Sequence, residues 1–94
     1  MIVSVRGKLA EDALLGRYGK GFPPQLVRRT RALFTALAAA VVLDDLRFPP
    51  GNRLEALKGD RQGQYSVRIN SQWRICFRWT NEGPADVEIV DYHG

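Results

Sequence analysis

The three residues before the final glycine combine an acid, a phenol and an imidazole: Asp91, Tyr92 and His93. A histidine exchanges protons near neutral pH, a tyrosine stacks on a base or donates a hydrogen bond, and an aspartate can orient either group. Cleavage of RNA without a metal ion needs such groups, because the attacking 2′-hydroxyl loses a proton and the departing 5′-oxygen gains one. The alternative is a solvated tail, since most exposed polar side chains have no special role.

Two segments in which apolar and cationic residues alternate, residues 64–69 and 73–79, predict two strands of a sheet. If residues 70–72 form a three-residue loop, the strands pair so that the apolar side chains share one face. A two-residue loop would mix the two faces, so the alternation selects this register. The apolar face is suited to packing against helices, and it pairs Ile69 with Trp73, Val67 with Ile75 and Tyr65 with Phe77.

The opposite face of this hairpin places Arg68 directly across from Arg74, and Arg78 lies farther along the second strand. Like charges in such a pair destabilise a sheet by up to about 1 kcal/mol. An anion bound between the two arginines would remove that cost. A carboxylate from the next strand, Glu88 or Asp86, would remove it as well, and the sequence leaves both explanations open.

The segment before the hairpin adds three cations around a glycine-rich turn. Gly59 and Gly63 let the backbone turn tightly, and Lys58 and Arg61 flank that turn. The spacing does not match a Walker phosphate-binding loop, because no Lys-Ser/Thr pair follows. With Arg53 upstream, the turn extends the cationic surface of the hairpin.

The composition favours a small protein with a polyanionic partner. The 94 residues have a net charge of +4, and its distribution is uneven: residues 1–52 and 53–79 are each +4, whereas residues 80–94 are −4. Such a surface attracts nucleic acid, and solubility alone is the other explanation. One cysteine and one histidine exclude an internal disulfide and the usual zinc sites. No secretory signal or apolar stretch of about 20 residues is visible, so we expect a cytoplasmic protein without a membrane segment.

The order of the elements predicts an α+β fold in a single domain over residues 1–94. Helical spacing over residues 9–18 ends at two glycines, and two prolines at residues 23–24 fit the entry of a second helix. The apolar stripe of that helix runs from Leu26 to Val41, and a basic cluster at residues 28–31 lies near its start. Weak alternation at residues 2–5 permits a short first strand. We therefore expect two N-terminal helices packed on one face of a mainly antiparallel sheet of four to five strands.

Four motifs in the second half of the chain occur with gaps that are specific as a set: residues 53–61 (RLEALKGDR), 64–70 (QYSVRIN), 72–79 (QWRICFRW) and 87–93 (VEIVDYH). Together they resemble the HigB-type toxins of the RelE/ParE superfamily. The resemblance implies a small RelE-like fold and the toxin of a type II toxin–antitoxin module. It also implies a ribosome-dependent endoribonuclease, or mRNA interferase, that cleaves mRNA in the A site without a cofactor or metal and so inhibits translation.

Compared position by position, the resemblance assigns the family's catalytic lysine to Lys58, its transition-state arginine to Arg74 and its terminal triplet to residues 91–93. His93 would be the general acid or base, with Asp91 or Glu55 as its helper. Tyr92 would be a base-stacking or positioning residue, and Lys58 with Arg74 would stabilise the phosphate and the phosphorane. Some relatives have a histidine where this chain has Glu55, which becomes a candidate auxiliary acid or base. The expected RNA contacts are Arg53, Arg61, Arg68 and Arg78.

The implied partners are a HigA-like helix-turn-helix antitoxin, which would also repress the operon, and the 70S ribosome with its A-site mRNA. DNA would be contacted only through the antitoxin complex, and no membrane is expected. Two alternatives remain: a ParE-like inhibitor that binds DNA gyrase without nuclease chemistry, and a non-catalytic nucleic-acid-binding module. Lys58 and the terminal Asp-Tyr-His triplet argue against the gyrase inhibitor.

Overall fold

Within residues 1–92, which the computed structural model describes, two α-helices precede a four-stranded antiparallel sheet. Helix α1 spans Lys8–Leu14, and α2 spans Val27–Ala39 after a 3₁₀ turn at Pro24–Leu26. Further 3₁₀ turns lie at Leu43–Arg47, Pro50–Asn52 and Gly59–Arg61. The strands are β1 (Glu55–Ala56), β2 (Gln64–Arg68), β3 (Trp73–Thr80) and β4 (Gly83–Asp91), and their order in the sheet is their order in the sequence. The predicted α+β fold class is confirmed.

The β2–β3 hairpin has the register that the alternation predicts. Asn70 closes the three-residue loop, because its side-chain oxygen accepts hydrogen bonds from the backbone N–H groups of Gln72 and Trp73 at 2.9 and 2.7 Å. The backbone N–H of Ile69 also donates to the carbonyl of Trp73 at 2.9 Å. The resulting pairs are Gln64 with Arg78, Tyr65 with Phe77, Ser66 with Cys76, Val67 with Ile75 and Arg68 with Arg74.

Both helices pack on the apolar face of this hairpin. Leu33 and Leu37 of α2 are buried in one cluster with Val67, Ile75 and Phe77. Burying an aliphatic or aromatic side chain of this size stabilises the fold by roughly 1.5–3 kcal/mol. The helices therefore occupy one side of the sheet, and the side with the arginines faces away from them.

The segment at residues 2–5 lies along β4 but forms only an isolated parallel bridge, between Val5 and Val87. Two hydrogen bonds of 2.8 Å flank that bridge, from the N–H of Val3 to the carbonyl of Pro84 and from the N–H of Arg6 to the carbonyl of Val87. The short first strand that the sequence permits is thus reduced to one bridge at the edge of a four-stranded sheet.

Helix α2 ends earlier than its apolar spacing predicts. Ala40 is already extended, with ψ at 130°, and the Asp45 carboxylate accepts hydrogen bonds from the N–H groups of Val41 and Val42 at 2.9 and 3.2 Å. Those two groups therefore begin a capped turn and do not continue the helix. Val41 is 81% exposed, so its placement on the buried stripe was wrong.

Helix α1 is shorter than predicted as well. It ends at Leu14, and Gly16 follows with a left-handed φ of 74°, a conformation that a glycine adopts without steric cost. Tyr18, expected inside the helix, lies beyond it, and its ring centroid is 5.4 Å from that of Phe22. No helix within residues 1–92 is long and apolar enough to cross a membrane.

Candidate functional site

The face of the sheet opposite the helices, called the arginine face below, collects most of the predicted site residues. Alternation along each strand sends every second side chain to this face. Cross-strand pairing arranges these side chains in rows: Arg68, Arg74 and Val90 form one row, Glu55, Ser66, Cys76 and Glu88 the next, and Gln64 and Arg78 a third.

The side chain of Arg74 is largely buried on this face, and only 13% of it is exposed. Its Nε donates a hydrogen bond to Ser66 Oγ at 2.8 Å, and its Nη2 donates to the backbone carbonyl of Arg53 at 2.9 Å. The Glu55 carboxylate is 3.6 Å from Nη2. Among residues 1–92, Nη1 has no hydrogen-bond partner. The guanidinium is therefore turned toward β1, with one nitrogen left to contact an anion.

Arg78 is neutralised by a carboxylate that a bulge in β4 presents. Cys76 pairs with Glu88 but Arg78 pairs with Ala85, so β4 has one extra residue between these pairs, and Asp86 adopts a left-handed φ of 52° there. Arg78 Nε donates to Asp86 Oδ2 at 2.7 Å. This hydrogen bond holds the pKa of Asp86 below its usual value.

Glu88, the other carboxylate of β4 that could neutralise these arginines, does not pair with Arg68 or Arg74. Its Oε1 accepts a hydrogen bond from Arg61 Nη1 at 3.1 Å, and Gln64 Oε1 lies at the same distance from that nitrogen. Within residues 1–92, no carboxylate oxygen lies within 4.0 Å of the Arg68 guanidinium. Of the two explanations that the sequence leaves open, neutralisation by a carboxylate of the next strand therefore holds for Arg78, with Asp86 as the acid. Arg74 has a longer ion pair instead, at 3.6 Å, with Glu55 of β1.

Tyr92 packs back onto the arginine face beside β3. Its backbone N–H donates to the carbonyl of Gln72 at 2.6 Å, and its phenol oxygen lies 3.8 Å from the buried Cys76 Sγ. Burial raises the pKa of the Tyr92 phenol, and burial likewise raises the pKa of the Cys76 thiol. Both groups are therefore uncharged at neutral pH, and the phenol remains a hydrogen-bond donor. Tyr92 is 42% exposed, so part of this residue can contact a ligand.

The first two residues of the terminal triplet, Asp91 and Tyr92, direct their side chains to opposite faces of the sheet. Asp91 pairs with Trp73, so alternation directs its side chain to the helix side of the sheet, opposite to Tyr92. His93, the predicted general acid or base, lies outside the described residues.

The remaining predicted residues lie at the β1 edge of the sheet. Lys58 is exposed and precedes the 3₁₀ turn at Gly59–Arg61. Arg53 is exposed and has a left-handed φ of 46°, which directs its carbonyl to Arg74. Glu55 is more than half exposed and lies in the same cross-strand row as Ser66. The structure thus brings Arg53, Glu55 and Arg74 into contact, and Lys58 follows on the same edge.

The candidate site lies at the surface of the sheet, where Arg53, Lys58 and Arg78 are exposed. A cavity of about 300 Å³ lies instead on the helix side, lined by α1, α2 and the N-terminal segment. Among residues 1–92, no three His, Cys, Asp or Glu side chains are grouped so that they could hold a metal ion. An open cationic surface suits a polymeric anion better than a small molecule.

Sequence reasoning did not identify two residues that order this surface. Ser66 accepts a hydrogen bond from Arg74, and its only signal in the sequence is a small polar residue inside an otherwise regular strand. Arg29 of α2 contacts the carbonyls of Gly51 and Arg68 through Nη2, at 3.2 and 2.8 Å. No local pattern could reveal the Arg29 contacts, because they join segments about 20 and 40 residues away.

A family model described as a RelE-like toxin of the type II toxin–antitoxin system HigB matches residues 15–93. Among curated proteins, the chain is 49% identical over 57 residues to Toxin HigB-1 of Vibrio cholerae, a match that covers 61% of this chain and 59% of that relative. It is 33% identical over 73 residues to Endoribonuclease HigB of Proteus vulgaris, with 78% of each chain covered. The matched segment thus spans less than two thirds of the first relative and more than three quarters of the second.

Solved structures of similar shape are more distant in sequence. YafQ from E. coli matches with a TM-score of 0.68 at 14% identity, and the match covers 97% of this chain and 91% of that chain. A chain of the YoeB–YefM complex from Staphylococcus aureus matches with a TM-score of 0.60 at 19% identity, with 100% and 97% covered. At such identities the likeness establishes the fold alone.

Proposed function

Because the chain belongs to the HigB-like family of RelE-like toxins in type II toxin–antitoxin systems, we propose that it is a ribosome-dependent endoribonuclease. In this function it cleaves mRNA in the ribosomal A site, which stops translation and growth. The name of one relative, Endoribonuclease HigB, supports the reaction class. The proposed substrate also implies a cytoplasmic location.

One observation supports this function most directly: the placement of the Arg74 guanidinium. Protein oxygens hold its Nε and Nη2, whereas Nη1 has no hydrogen-bond partner within residues 1–92. A guanidinium fixed in this way needs little reorganisation when a phosphorane develops negative charge beside it. Exposed Lys58 follows on the same sheet edge and adds a second positive charge for the phosphate.

The proposed reaction transfers the phosphorus from one oxygen to another without water. The 2′-oxygen attacks the adjacent phosphorus, the bond to the 5′-oxygen breaks, and the products are a 2′,3′-cyclic phosphate and a free 5′-hydroxyl. A base takes the 2′-hydroxyl proton, and an acid gives a proton to the 5′-oxygen. We assign one of these proton transfers to His93, with Asp91 orienting it, and Glu55, at 3.6 Å from Arg74, is the auxiliary acid or base.

RNA contacts outside the reacting phosphate are assigned to Tyr92 and four arginines. The half-exposed Tyr92 ring can stack on a base. The ribosome would hold the codon in place, and such orientation is worth several kcal/mol of the barrier, up to roughly 7–11. This contribution explains how an open surface could cleave a flexible RNA. The proposed RNA-binding residues are Arg53, Arg61, Arg68 and Arg78.

The proposed partners are the 70S ribosome and an antitoxin. Membership in a type II toxin family supports the antitoxin, and one solved structure of similar fold is the heterotetrameric YoeB–YefM toxin–antitoxin complex from Staphylococcus aureus. We propose an antitoxin with a HigA-like helix-turn-helix domain, so that the complex contacts operon DNA only through the antitoxin.

The test compares three inductions in bacterial cells: wild type, Arg74→Ala and His93→Ala. We expect the wild type to arrest growth and to produce mRNA 5′ ends at fixed codon positions, and each variant to lower cleavage by about 100-fold or more. Arg47→Ala is the matched control, because Arg47 pairs with Asp44 in an exposed turn and lies outside the arginine face.

A gyrase supercoiling assay accompanies the mapping. Growth arrest without codon-centred cuts would contradict the nuclease. Arrest that persists unchanged in both variants and coincides with gyrase inhibition would establish the ParE-like binding inhibitor instead.

A further inference from the structure

Ser66 is unusual for its position in the sheet. It is fully buried in the middle of β2, where β-branched and aromatic side chains are the usual choice and a serine contributes little apolar area. A buried hydroxyl also costs free energy unless it is hydrogen-bonded. Its partner is Nε of Arg74 at 2.8 Å, across the β2–β3 pair. The hydroxyl is thus hydrogen-bonded to Arg74, the arginine that stabilises the phosphorane in the proposed reaction.

A second group holds the same guanidinium from the side of β1. The carbonyl of Arg53 accepts a hydrogen bond from Arg74 Nη2 at 2.9 Å. It points there because Arg53 is left-handed, with φ at 46° and ψ at 58°. Such a conformation is unfavourable for a residue with a side chain, and it persists where the surrounding structure imposes it.

The loop before Arg53 imposes this conformation through several hydrogen bonds. The N–H of Arg53 donates to the carbonyl of Pro50 at 3.1 Å. The buried Asn52 side chain donates to the carbonyls of Leu46 and Phe48, at 3.2 and 3.1 Å. Arg29 of α2 donates to the carbonyl of Gly51 at 3.2 Å. These hydrogen bonds of the loop therefore fix the direction in which the Arg53 carbonyl points.

We propose that Ser66 is a positioning residue, which together with the Arg53 carbonyl fixes the Arg74 guanidinium so that Nη1 is left to bind the scissile phosphate. This inference rests on the proposed function. The two oxygens take Nε and Nη2 and are both uncharged, so they orient the guanidinium without neutralising it. Ser66 itself is too buried to touch the RNA and acts only through Arg74.

The first test needs no RNA. A hydrogen bond slows the exchange of an arginine Nε–H proton with water, so ¹⁵N NMR should show a protected Nε–H resonance for Arg74 in the wild type. Arg74→Lys identifies that resonance by its disappearance. We expect Ser66→Ala to move it and to speed its exchange, whereas Thr30→Val should leave it unchanged. Thr30 is an equally buried hydroxyl residue that lies on α2, and its Oγ has no hydrogen-bond partner within residues 1–92.

The second test is a double-mutant cycle on cleavage of ribosome-bound mRNA. We expect Ser66→Ala to lower kcat roughly tenfold with little change in KM, since it removes a hydrogen bond to a charged group that acts in the transition state. In an Arg74→Lys background the same change should cost nothing further, because the Nε donor is already absent. Ser66→Cys, whose sulfur is a weak acceptor, should behave like Ser66→Ala, and Thr30→Val should cleave at the wild-type rate.

Three results would overturn the inference: unchanged exchange of the Arg74 Nε–H in Ser66→Ala, wild-type kcat in Ser66→Ala and Ser66→Cys, or an equal loss from Ser66→Ala in both backgrounds. If Ser66→Ala fails to fold, Ser66→Cys gives the same comparison. A wild type that does not cleave mRNA would overturn the proposed function instead, and the NMR comparison would still show whether Ser66 orients Arg74.

Discussion

Arg74 and Arg78 lie two positions apart on the same strand, but their guanidinium groups have different partners. Arg78 binds the Asp86 carboxylate at 2.7 Å, so an RNA phosphate must compete with that charge. The close partners of Arg74 are a hydroxyl and a carbonyl, and its nearest carboxylate, Glu55, is at 3.6 Å. More of the Arg74 charge is therefore available to an incoming anion, which suits it to transition-state stabilisation and suits Arg78 to a weaker RNA contact.

The Arg78–Asp86 pair predicts a specific dependence of stability on pH. Arg78 lowers the pKa of Asp86 in the folded protein, so the pair stabilises the fold above the ordinary aspartate pKa of about 3.9. That contribution is lost as the pH falls through the lowered folded-state value. We expect Asp86→Asn to reduce the free energy of unfolding near neutral pH and to reduce it less at about pH 2.5, as measured by urea denaturation.

The control for this comparison is Asp44→Asn, which removes the exposed Arg47 ion pair and should change stability little at either pH. A reduction by Asp86→Asn that is the same at both pH values would show that the Asp86 charge is not what stabilises the bulge.

Among the elements, α2 and the loop at residues 48–53 are joined by the side chain of Arg29. Arg29 Nη2 lies within 3.4 Å of three oxygens: the carbonyls of Gly51 and Arg68 and the side-chain oxygen of Asn52. Arg28 is exposed on the same turn. The basic cluster at the start of α2 is thus partly structural, which the sequence could not distinguish from a solvated or partner-binding cluster.

We expect Arg29→Ala to lower the free energy of unfolding by about 2 kcal/mol, because the carbonyls of Gly51 and Arg68 lose a charged donor and the Arg68 contact is partly buried. Arg28→Ala should change it by less than about 0.5 kcal/mol, since no contact within residues 1–92 is lost. Thermal or urea unfolding of the two purified variants measures the difference. Equal values would mean that the Arg29 contacts do not hold the loop.

A structural feature could be predicted when residues close to it in the sequence determine it, and could not when distant residues do. The hairpin register followed from alternation, because a shift by one residue would have exposed Val67 and Phe77 and buried Arg68. The end of α2 did not follow from spacing, because the Asp45 carboxylate that binds the N–H groups of Val41 and Val42 lies six residues beyond the last residue of the helix, Ala39. The orientation of Arg74 depended on a loop 21 residues away and could not be predicted.

On the scale of the whole molecule, the helices and the arginine face lie on opposite sides of one sheet. The segment at residues 53–79 has a net charge of +4, and its arginines and Lys58 lie on the arginine face and its β1 edge. The proposed RNA binding would use phosphate contacts on this surface, and we expect its affinity to fall as salt rises.

We expect Arg68→Gln to reduce the slope of log affinity against log salt by about 1 in binding to ribosomes or single-stranded RNA, because one phosphate contact is removed. Arg17→Gln should leave the slope unchanged, since Arg17 follows α1 on the helix side of the sheet. Fluorescence titrations at several salt concentrations measure both slopes. A larger effect of Arg17→Gln would place the RNA on the helix side.

The sequence by itself determined the fold class, the hairpin register and the face that bears the arginines, because these depend on the periods of 2 and 3.6 residues along the chain. Each of the four motifs that indicate a HigB-type toxin is an uninterrupted stretch of sequence, so it can be recognised without the structure. Only the tertiary structure decided which carboxylate neutralises which arginine, and that Ser66 and the Arg53 carbonyl hold Arg74. These contacts join distant segments, and their geometry depends on a bulge and a left-handed residue that no spacing in the sequence encodes.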